Sequence, residues 1–270
     1  MALDFLESTM NRLLALLLTA IIAACTQNHS ATGSVEGSQG QSTQPVDSGT
    51  RPAIAESATG IEPSVVGALA PRFEVQTVES ETFVFDPAAL ERPAVVITFR
   101  GGWCPFCNLH LAELRQVLPE IRALGVDVLF LSGDRPELLY DSLQLETQET
   151  IAGLDYVILS DADAQAAIAF GIAFRAPEST IQRRHEKGDD IAGSSMARHG
   201  VLPVPSVFAI DRQGIIQFAH SNPDYKVRVP ADELLLVAKG LAATPRATHD
   251  GDLVIQQSST NTVGLVEISP

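Results

Sequence analysis

The chain has 270 residues, of which 45% are hydrophobic, so it is long enough to form one or two domains with a sizeable core. Its formal net charge is −15 and it has no basic stripe, which argues against a nucleic-acid partner, because such proteins neutralise phosphates with clustered Lys and Arg. Its three cysteines, Cys25, Cys104 and Cys107, are too few for a structural disulfide framework.

The apolar run at residues 13–24 is too short to span a membrane, since a membrane-spanning helix needs about 20 apolar residues. A run of this length predicts the apolar region of a signal peptide. The run ends in Ile22-Ala-Ala-Cys25, which resembles the lipobox of bacterial lipoproteins. We therefore expect residues 1–24 to be a lipoprotein-type signal and Cys25 to carry the lipid. An ordinary secretory signal with a chance cysteine is the alternative.

Residues 25–63 are rich in Ser, Thr, Gly, Gln and Pro, a composition that predicts a disordered tether, because it cannot bury enough apolar surface to offset its ordering entropy. A flexible tether of this length would reach roughly 30–35 Å. A globular domain is predicted at 64–245 and a polar C-terminal tail at 246–270. Two alternating segments near the start of the domain, Phe73–Thr77 and Thr82–Phe85, predict a hairpin.

The stretch Arg100-Gly-Gly-Trp-Cys-Pro-Phe-Cys107 follows a fully apolar run, Ala94–Phe99, and opens an amphipathic helical pattern. Pro105 suits the first position of that helix, where its missing N–H costs nothing. The free N–H groups and the dipole of a helix N-terminus favour a thiolate. We therefore expect Cys104, at the tip, to be the attacking thiolate with a lowered pKa. Cys107, one turn in, would be the more buried resolving partner of a reversible disulfide.

The remaining elements alternate between buried strands and amphipathic helices. Pro119 is expected to kink the helix that begins at Cys104. The later predictions are a strand at 126–131, a helix at 137–148, a strand at 156–159, a helix at 164–170 capped by Ser160 or Asp161, a hairpin of 207–210 with 215–218, and a helix at 231–239. The charged segment 175–200 interrupts this rhythm and predicts a polar surface insertion or lid.

The order of elements, with Trp-Cys-Pro-Phe-Cys after the first central strand, resembles the thioredoxin superfamily. In particular it is similar to the peroxiredoxin-like branch, of the alkyl hydroperoxide reductase and thiol-specific antioxidant type. The resemblance covers about residues 64–240 and includes three further segments, Ala70-Pro-Arg-Phe73, Asp161 through Ile172, and Val204-Pro205 through Gly214. It implies an α/β thioredoxin-like fold, a central mixed β-sheet flanked by helices, with a cis-proline at Pro205 facing the active site.

The chain departs from the peroxide-reducing members of that branch, which carry Pro-x-x-x-Thr-x-x-Cys around the reactive cysteine. The proline position holds Ile97 and the threonine position holds Gly101. The place of the expected arginine holds Pro205, while Arg100 lies nearby at a different spacing. The residues that would bind a peroxide are therefore absent from the positions where the family places them. The chemistry indicated is dithiol–disulfide exchange.

Other interpretations of the site residues stay open. A mixed zinc site would need Cys104 and Cys107 together with His110, or with His185 or His199 from the insertion. Covalent haem is excluded, because the residue after the pair is Asn108 rather than His. Trp103 is expected to offer a flat apolar surface for a substrate, with a purely structural role as the alternative.

These features favour an extracytoplasmic, lipid-anchored thiol–disulfide oxidoreductase. Its partners would be protein thiols or disulfides and an electron-donor thiol protein, and no cofactor is expected. A thiol peroxidase is the second hypothesis, in which Cys104 is oxidised to a sulfenic acid by a hydroperoxide and Cys107 resolves it. A metal carrier that uses the two thiolates is the third.

Overall fold

The computed structural model describes residues 53–244. The predicted signal peptide, the lipidation of Cys25, the predicted tether up to residue 52 and the chain after residue 244 lie outside this range. Within the range, no helix combines the length and the apolar character that a membrane crossing requires.

A seven-stranded mixed sheet forms the centre of the domain. Its strands are β1 Phe73–Gln76, β2 Thr82–Phe85, β3 Ala94–Phe99, β4 Asp127–Ser132, β5 Val157–Ser160, β8 Ser206–Ile210 and β9 Ile216–Ser221, and they lie in the order β2-β1-β5-β4-β3-β8-β9. Strands β3, β4 and β5 are parallel, whereas β8 runs antiparallel to β3 and β9 runs antiparallel to β8. The predicted α/β fold is confirmed.

All six residues of β3 are buried, because the sheet is covered on both faces. Val95, Ile97 and Phe99 enter a cluster with the apolar faces of the helices around the cysteine pair and of the last helix. Val96 enters the opposite cluster, which is completed by a short pair of strands, β6 Ala173–Arg175 and β7 Val201–Pro203. The strand that leads into Arg100 is therefore fixed on both sides.

Seven α-helices flank the strands within residues 53–244. Their bounds are α1 Pro105–Leu114, α2 Leu118–Ala123, α3 Leu145–Ile151, α4 Gln165–Ala169, α5 Glu178–Glu186, α6 Ser195–His199 and α7 Ala231–Ala243. The Asp161 side chain accepts from the N–H groups of Ala166 and Ala167, both at 2.9 Å, so the predicted Asp161 cap of α4 is confirmed.

Two helix predictions need correction. The kink expected at Pro119 is a complete break, since α1 ends at Leu114 and Pro119 lies in the first turn of α2, where a proline is tolerated. The helix predicted over 137–148 is replaced by a 3-10 turn at 136–138 and by α3, which begins eight residues later than predicted, at Leu145.

The tether prediction is wrong for residues 53–63, which pack on the domain. The Ala55 N–H donates to Ala173 O at 3.0 Å, and Arg175 N–H donates to Ala55 O at 2.8 Å. Ile54, Ala58 and Ile61 contact the core cluster, so these few apolar side chains are sufficient to dock a segment whose overall composition is polar.

The segment 175–200 is also more integrated than predicted. It carries α5 and α6, and it buries Ile191 and Met196 in the core cluster at 1% exposure each. Its charged composition indicated a solvated loop, but its apolar side chains are directed inward and the Arg184 side chain is buried as well. The segment is thus part of the domain, not a surface insertion.

Candidate active site

The cysteine pair lies at the N-terminus of α1, as predicted. Cys104 is the N-cap residue with φ −90° and ψ 114°, and Pro105 is the first helical residue. The N–H groups of Cys107 and Asn108 donate to Cys104 O at 3.0 and 3.1 Å. Both cysteines are free thiols and both are buried, Cys104 at 2% and Cys107 at 0% exposure. Cys107 is the more buried of the two, as predicted, but Cys104 at the tip is nearly as well covered.

In the reduced pair, the hydrogen bond and the nearby arginine favour ionisation of the sulfur opposite to the one predicted. Burial opposes ionisation of Cys107, but the hydrogen bond from the Cys104 side chain and the positive charge of Arg228 outweigh it and lower the pKa of Cys107 to about 6. The same hydrogen bond, together with burial, raises the pKa of Cys104. The prediction that Cys104 has the lower pKa is contradicted, because it considered the helix N-terminus but neither the hydrogen bond between the two thiols nor Arg228.

Arg228 is a site residue that the sequence analysis missed. Its Nη2 lies 3.5 Å from Cys107 Sγ, and its Nε donates to Tyr225 O at 2.7 Å. It comes from the segment between β9 and α7, whose polar composition carries no motif. Tyr225 from the same segment packs edge-on against Phe106, with ring centroids 5.5 Å apart.

Arg100 faces the same cysteine pair. The centre of its guanidinium group lies 4.3 Å from the ring centroid of Tyr225 and 5.6 Å from that of Phe174. Burial lowers the pKa of Arg100, while the electrostatic interaction with Cys104 and Cys107 opposes that shift. Its Nε is buried and has no hydrogen-bond partner among residues 53–244.

The loop before Cys104 has no space for a side chain at Gly101. With φ at +149°, a Cβ there would lie 2.4 Å from Trp103 Nε1 and 2.6 Å from Asp134 Oδ1. The Gly102 N–H donates to Asp134 Oδ2 at 2.7 Å, and Ser142 Oγ donates to the same oxygen at 2.9 Å. Burial raises the pKa of Asp134 to about 6. Asp134 was not predicted, because nothing in its local sequence marks it.

Asn108 is a second unpredicted support of this loop. Its Nδ2 donates to Gly102 O at 2.6 Å and to Cys104 O at 3.0 Å, while its Oδ1 accepts from Gln144 N–H at 2.8 Å. The side chain is 1% exposed, so these contacts are shielded from water. It joins the first turn of α1 to the start of α3.

Trp103 is partly buried beside Cys104. Its ring is covered by Arg184, which belongs to the segment 175–200 that was predicted to be an insertion. The guanidinium of Arg184 lies 5.2 Å from the centroid of the Trp103 ring. Arg184 Nη1 also donates to Asp189 Oδ2 at 3.1 Å and to Trp103 O at 3.5 Å. The apolar surface expected of Trp103 is therefore partly covered.

Pro205 is buried beside a narrow cleft, which is also lined by Arg228, the neighbour of Cys107. The cis bond expected before Pro205 is wrong, because every peptide bond among residues 53–244 is trans. The two residues that flank Pro205 are fixed by hydrogen bonds. Val204 N–H donates to Ile172 O at 2.9 Å, and Ser206 N–H donates to Thr98 Oγ1 at 3.0 Å. The cleft is too narrow to admit a water molecule, and it is lined by Thr98, His110, Pro205, Ser206, Val207, His220, Arg228 and Val229.

The structure does not assemble the mixed zinc site. His110 Nε2 lies 3.0 Å from Val229 O, and His199 Nε2 lies 3.2 Å from Asp163 Oδ1. Within residues 53–244, no three His, Cys, Asp or Glu side chains are grouped to hold a metal ion.

Comparison with known proteins gives a family match and several relatives. The sequence model of the AhpC/TSA family matches residues 66–219. The chain is 29% identical over 112 residues to peroxiredoxin Bcp of Escherichia coli, covering 42% of this chain and 67% of the relative. It is 24% identical over 193 residues to the thiol:disulfide interchange protein DsbE of Yersinia pestis, and this match covers 70% of this chain and 81% of the relative.

A structure of reduced Prx3 in complex with H2O2 from Vibrio vulnificus superposes with a TM-score of 0.50 at 15% identity, covering 65% of this chain and 99% of that one. At this identity the likeness concerns the fold alone. The segment that carries Tyr225 and Arg228 lies beyond the residues of the family match.

Proposed function

Because the chain belongs to the AhpC/TSA family and is an oxidoreductase acting on thiols, disulfides or peroxides, we propose that it is an extracytoplasmic thiol–disulfide oxidoreductase, anchored by a lipid on Cys25. The observation that carries the proposal is the pair itself. Cys104 and Cys107 lie in hydrogen-bond contact at the first turn of α1, with a cation against one sulfur. Two thiols in that relation interconvert with a disulfide without a large backbone movement.

In the reducing direction, the Cys104 proton moves along the hydrogen bond to Cys107, and the Cys104 thiolate attacks one sulfur of a substrate disulfide. The substrate S–S bond breaks, a mixed disulfide forms at Cys104, and one substrate thiolate leaves. Cys107 then loses its proton and attacks Cys104 Sγ, which releases the second substrate thiolate. Two electrons pass from the pair to the substrate, and the reverse sequence oxidises a substrate dithiol.

The same geometry supports disulfide exchange over peroxide reduction. A peroxidase must stabilise charge on two oxygens, and each donor placed for this contributes a factor of about 10²–10³ in rate. Gly101 has no hydroxyl and no space for one, and Pro205 has no donor. The two positions where the family places such donors therefore supply none.

A thiol peroxidase is the second candidate, because Arg100 faces both sulfurs and its Nε has no hydrogen-bond partner in the described part of the chain. In that reaction the Cys104 thiolate would cleave the O–O bond, giving a sulfenic acid and an alcohol or water. The Cys107 thiol would then condense with the sulfenic acid and release water. The similarity to a peroxiredoxin at 29% identity also supports this candidate.

Stopped-flow oxidation of the reduced full-length chain tests the two candidates. We expect Cys104 to react with hydrogen peroxide near the rate of an ordinary thiolate of the same pKa and to react faster with protein disulfides. Cys107→Ser should trap mixed disulfides on Cys104, and the control Cys104→Ser should trap none. A peroxide rate orders of magnitude above that of a free thiolate would contradict the proposal and favour the peroxidase.

The anchoring part of the proposal rests on Ile22-Ala-Ala-Cys25 after the apolar run. Cys25→Ala should leave the precursor unprocessed or release the protein from the membrane fraction, as followed by fractionation and mass spectrometry of the N-terminus. Cys25→Ala that is processed normally and stays on the membrane would contradict lipidation.

A further inference from the structure

Arg228 is held in place by the backbone of its own segment. The bond from its Nε to Tyr225 O, at 2.7 Å, fixes the plane of the guanidinium group, and Nη2 is left 3.5 Å from Cys107 Sγ. That separation is within hydrogen-bond range for sulfur, and Cys107 is 0% exposed, so water cannot compete for the contact.

Within residues 53–244, the two arginines beside the pair have no carboxylate partner. Neither Arg100 nor Arg228 takes part in an ion pair within residues 53–244. The ionisable and charged groups facing the cysteines and Arg228 are Arg100 from the end of β3, His110 from α1, His220 from β9, and Tyr225 from the segment before α7. Burial and the charge of Arg228 lower the pKa of His110 to about 4, so that ring is neutral near pH 7. A negative charge on sulfur is therefore the available counter-charge for Arg228.

We propose that Arg228 is a positioning residue that holds Cys107 as the thiolate and thereby makes the Cys104–Cys107 disulfide more oxidising. This inference rests on the proposed function. A group that stabilises the thiolate favours the reduced state of the pair, and a stabilised reduced state raises the reduction potential. The sequence alone left open whether the pair donates or accepts a disulfide, and Arg228 biases it toward donating one.

The chemical step that Arg228 assists is departure of Cys107. A substrate thiolate attacks Cys104 Sγ of the intramolecular disulfide, a new S–S bond forms to the substrate, and the electron pair of the broken bond stays on Cys107 Sγ beside Arg228. A second substrate thiolate then attacks the substrate sulfur of the mixed disulfide and expels Cys104. The substrate dithiol is oxidised by two electrons and the enzyme pair is reduced.

A titration in which Cys107 is the remaining thiol tests its contact with Arg228 directly. In the full-length chain carrying Cys25→Ser and Cys104→Ser, Cys107 is the remaining thiol, and its ionisation is followed by thiolate absorbance in the ultraviolet. We expect Arg228→Gln to raise the Cys107 pKa by about one unit or more, because an opposite charge at this distance shifts a pKa by about 1–3 units. Arg228→Lys should recover part of the shift, and Lys226→Gln, which removes an exposed charge from the same segment, should cause none.

The second measurement is the equilibrium of the pair, with both cysteines present, in glutathione buffers. Near pH 7.5, Arg228→Gln should shift the equilibrium about tenfold toward the disulfide, equivalent to about 30 mV, since a tenfold change in a two-electron equilibrium is 29.6 mV. The difference should disappear below the Cys107 pKa of about 6, where the wild-type sulfur is protonated as well. A purely structural role for Arg228 predicts no such dependence on pH.

Equal Cys107 midpoints and equal potentials in the wild type, Arg228→Gln and Lys226→Gln would overturn the proposal. If Arg228→Gln does not fold, Arg228→Met keeps the aliphatic stem, and an unchanged Cys107 midpoint in that variant overturns the proposal equally. Fast peroxide reduction together with a shifted potential in Arg228→Gln would reject the proposed substrate class and leave the role of Arg228 intact.

Discussion

The two sides of the cysteine pair are built differently. On the Cys104 side the chain is crowded, since a Cβ on Gly102 would lie 2.1 Å from Ser142 Oγ, and the amide groups of the loop bond to Asp134 and Asn108. On the Cys107 side there is a narrow cleft, too small for a water molecule, with Arg228 at its wall. The first side fixes where the sulfurs lie, and the second determines which sulfur carries the charge. Substitutions on the first side should therefore change stability, and substitutions on the second should change potential.

Gly101→Ala should give the largest effect on stability. The new Cβ would crowd Trp103 and Asp134, and the positive φ adds strain, so we expect the free energy of unfolding to fall by about 4 kcal/mol. Gly125→Ala is the matched control, because Gly125 has φ +75° and no atom within 4 Å of the added Cβ. It should cost about 1 kcal/mol. Equal losses in denaturant unfolding would show that the crowding is absent.

Asp134→Asn should change how stability depends on pH. The pKa of Asp134 is raised from 3.8 to about 6, so the folded state binds the proton more tightly than the unfolded state. Ionisation of Asp134 therefore lowers the free energy of unfolding as pH rises from about 4 to 6. Once the carboxyl group is fully ionised, this loss amounts to about 3 kcal/mol. Asp134→Asn should remove this loss, as measured by urea unfolding across that range. A pH profile unchanged by the substitution would contradict the role of the buried carboxylate.

Arg184→Ala should have the smallest effect, because it uncovers the Trp103 ring and leaves the packing of the loop before Cys104 unchanged. A cation–π contact of this kind contributes about 0.5–1 kcal/mol. We therefore expect Cys104 to be alkylated a few times faster in the variant, with little change in the pKa of either cysteine. Arg183→Ala removes an exposed charge from the same helix and should leave the rate unchanged. Equal rates in both variants would show that Arg184 does not cover the site.

The sequence predicted the elements of the site better than its contacts. The apolar run 94–99 and the Cys-Pro-Phe-Cys turn were sufficient to place a strand, a loop and a helix start, because these depend on neighbouring residues. Arg228 lies 121 positions from Cys107 and Asp134 lies 32 from Gly102. Periodicity and capping rules act over a few residues, so they give no indication of either contact.

The misjudged segment 175–200 has a related cause. A run of charged side chains usually indicates a solvated face, and most of α5 is exposed. Arg184 is the exception, because its stem and guanidinium pack on the Trp103 ring and its charge is paired with Asp189. Composition cannot distinguish one buried arginine from its exposed neighbour Arg183.

The burial of Cys104 has a kinetic consequence. A sulfur that is 2% exposed cannot be reached until the residues over it move, so productive collisions are limited to the open fraction of molecules. At high substrate concentration the observed rate then approaches the rate of opening, which belongs to the enzyme alone. Substrates of very different reactivity should therefore share one maximal rate, and the enzyme would distinguish them only when they are scarce.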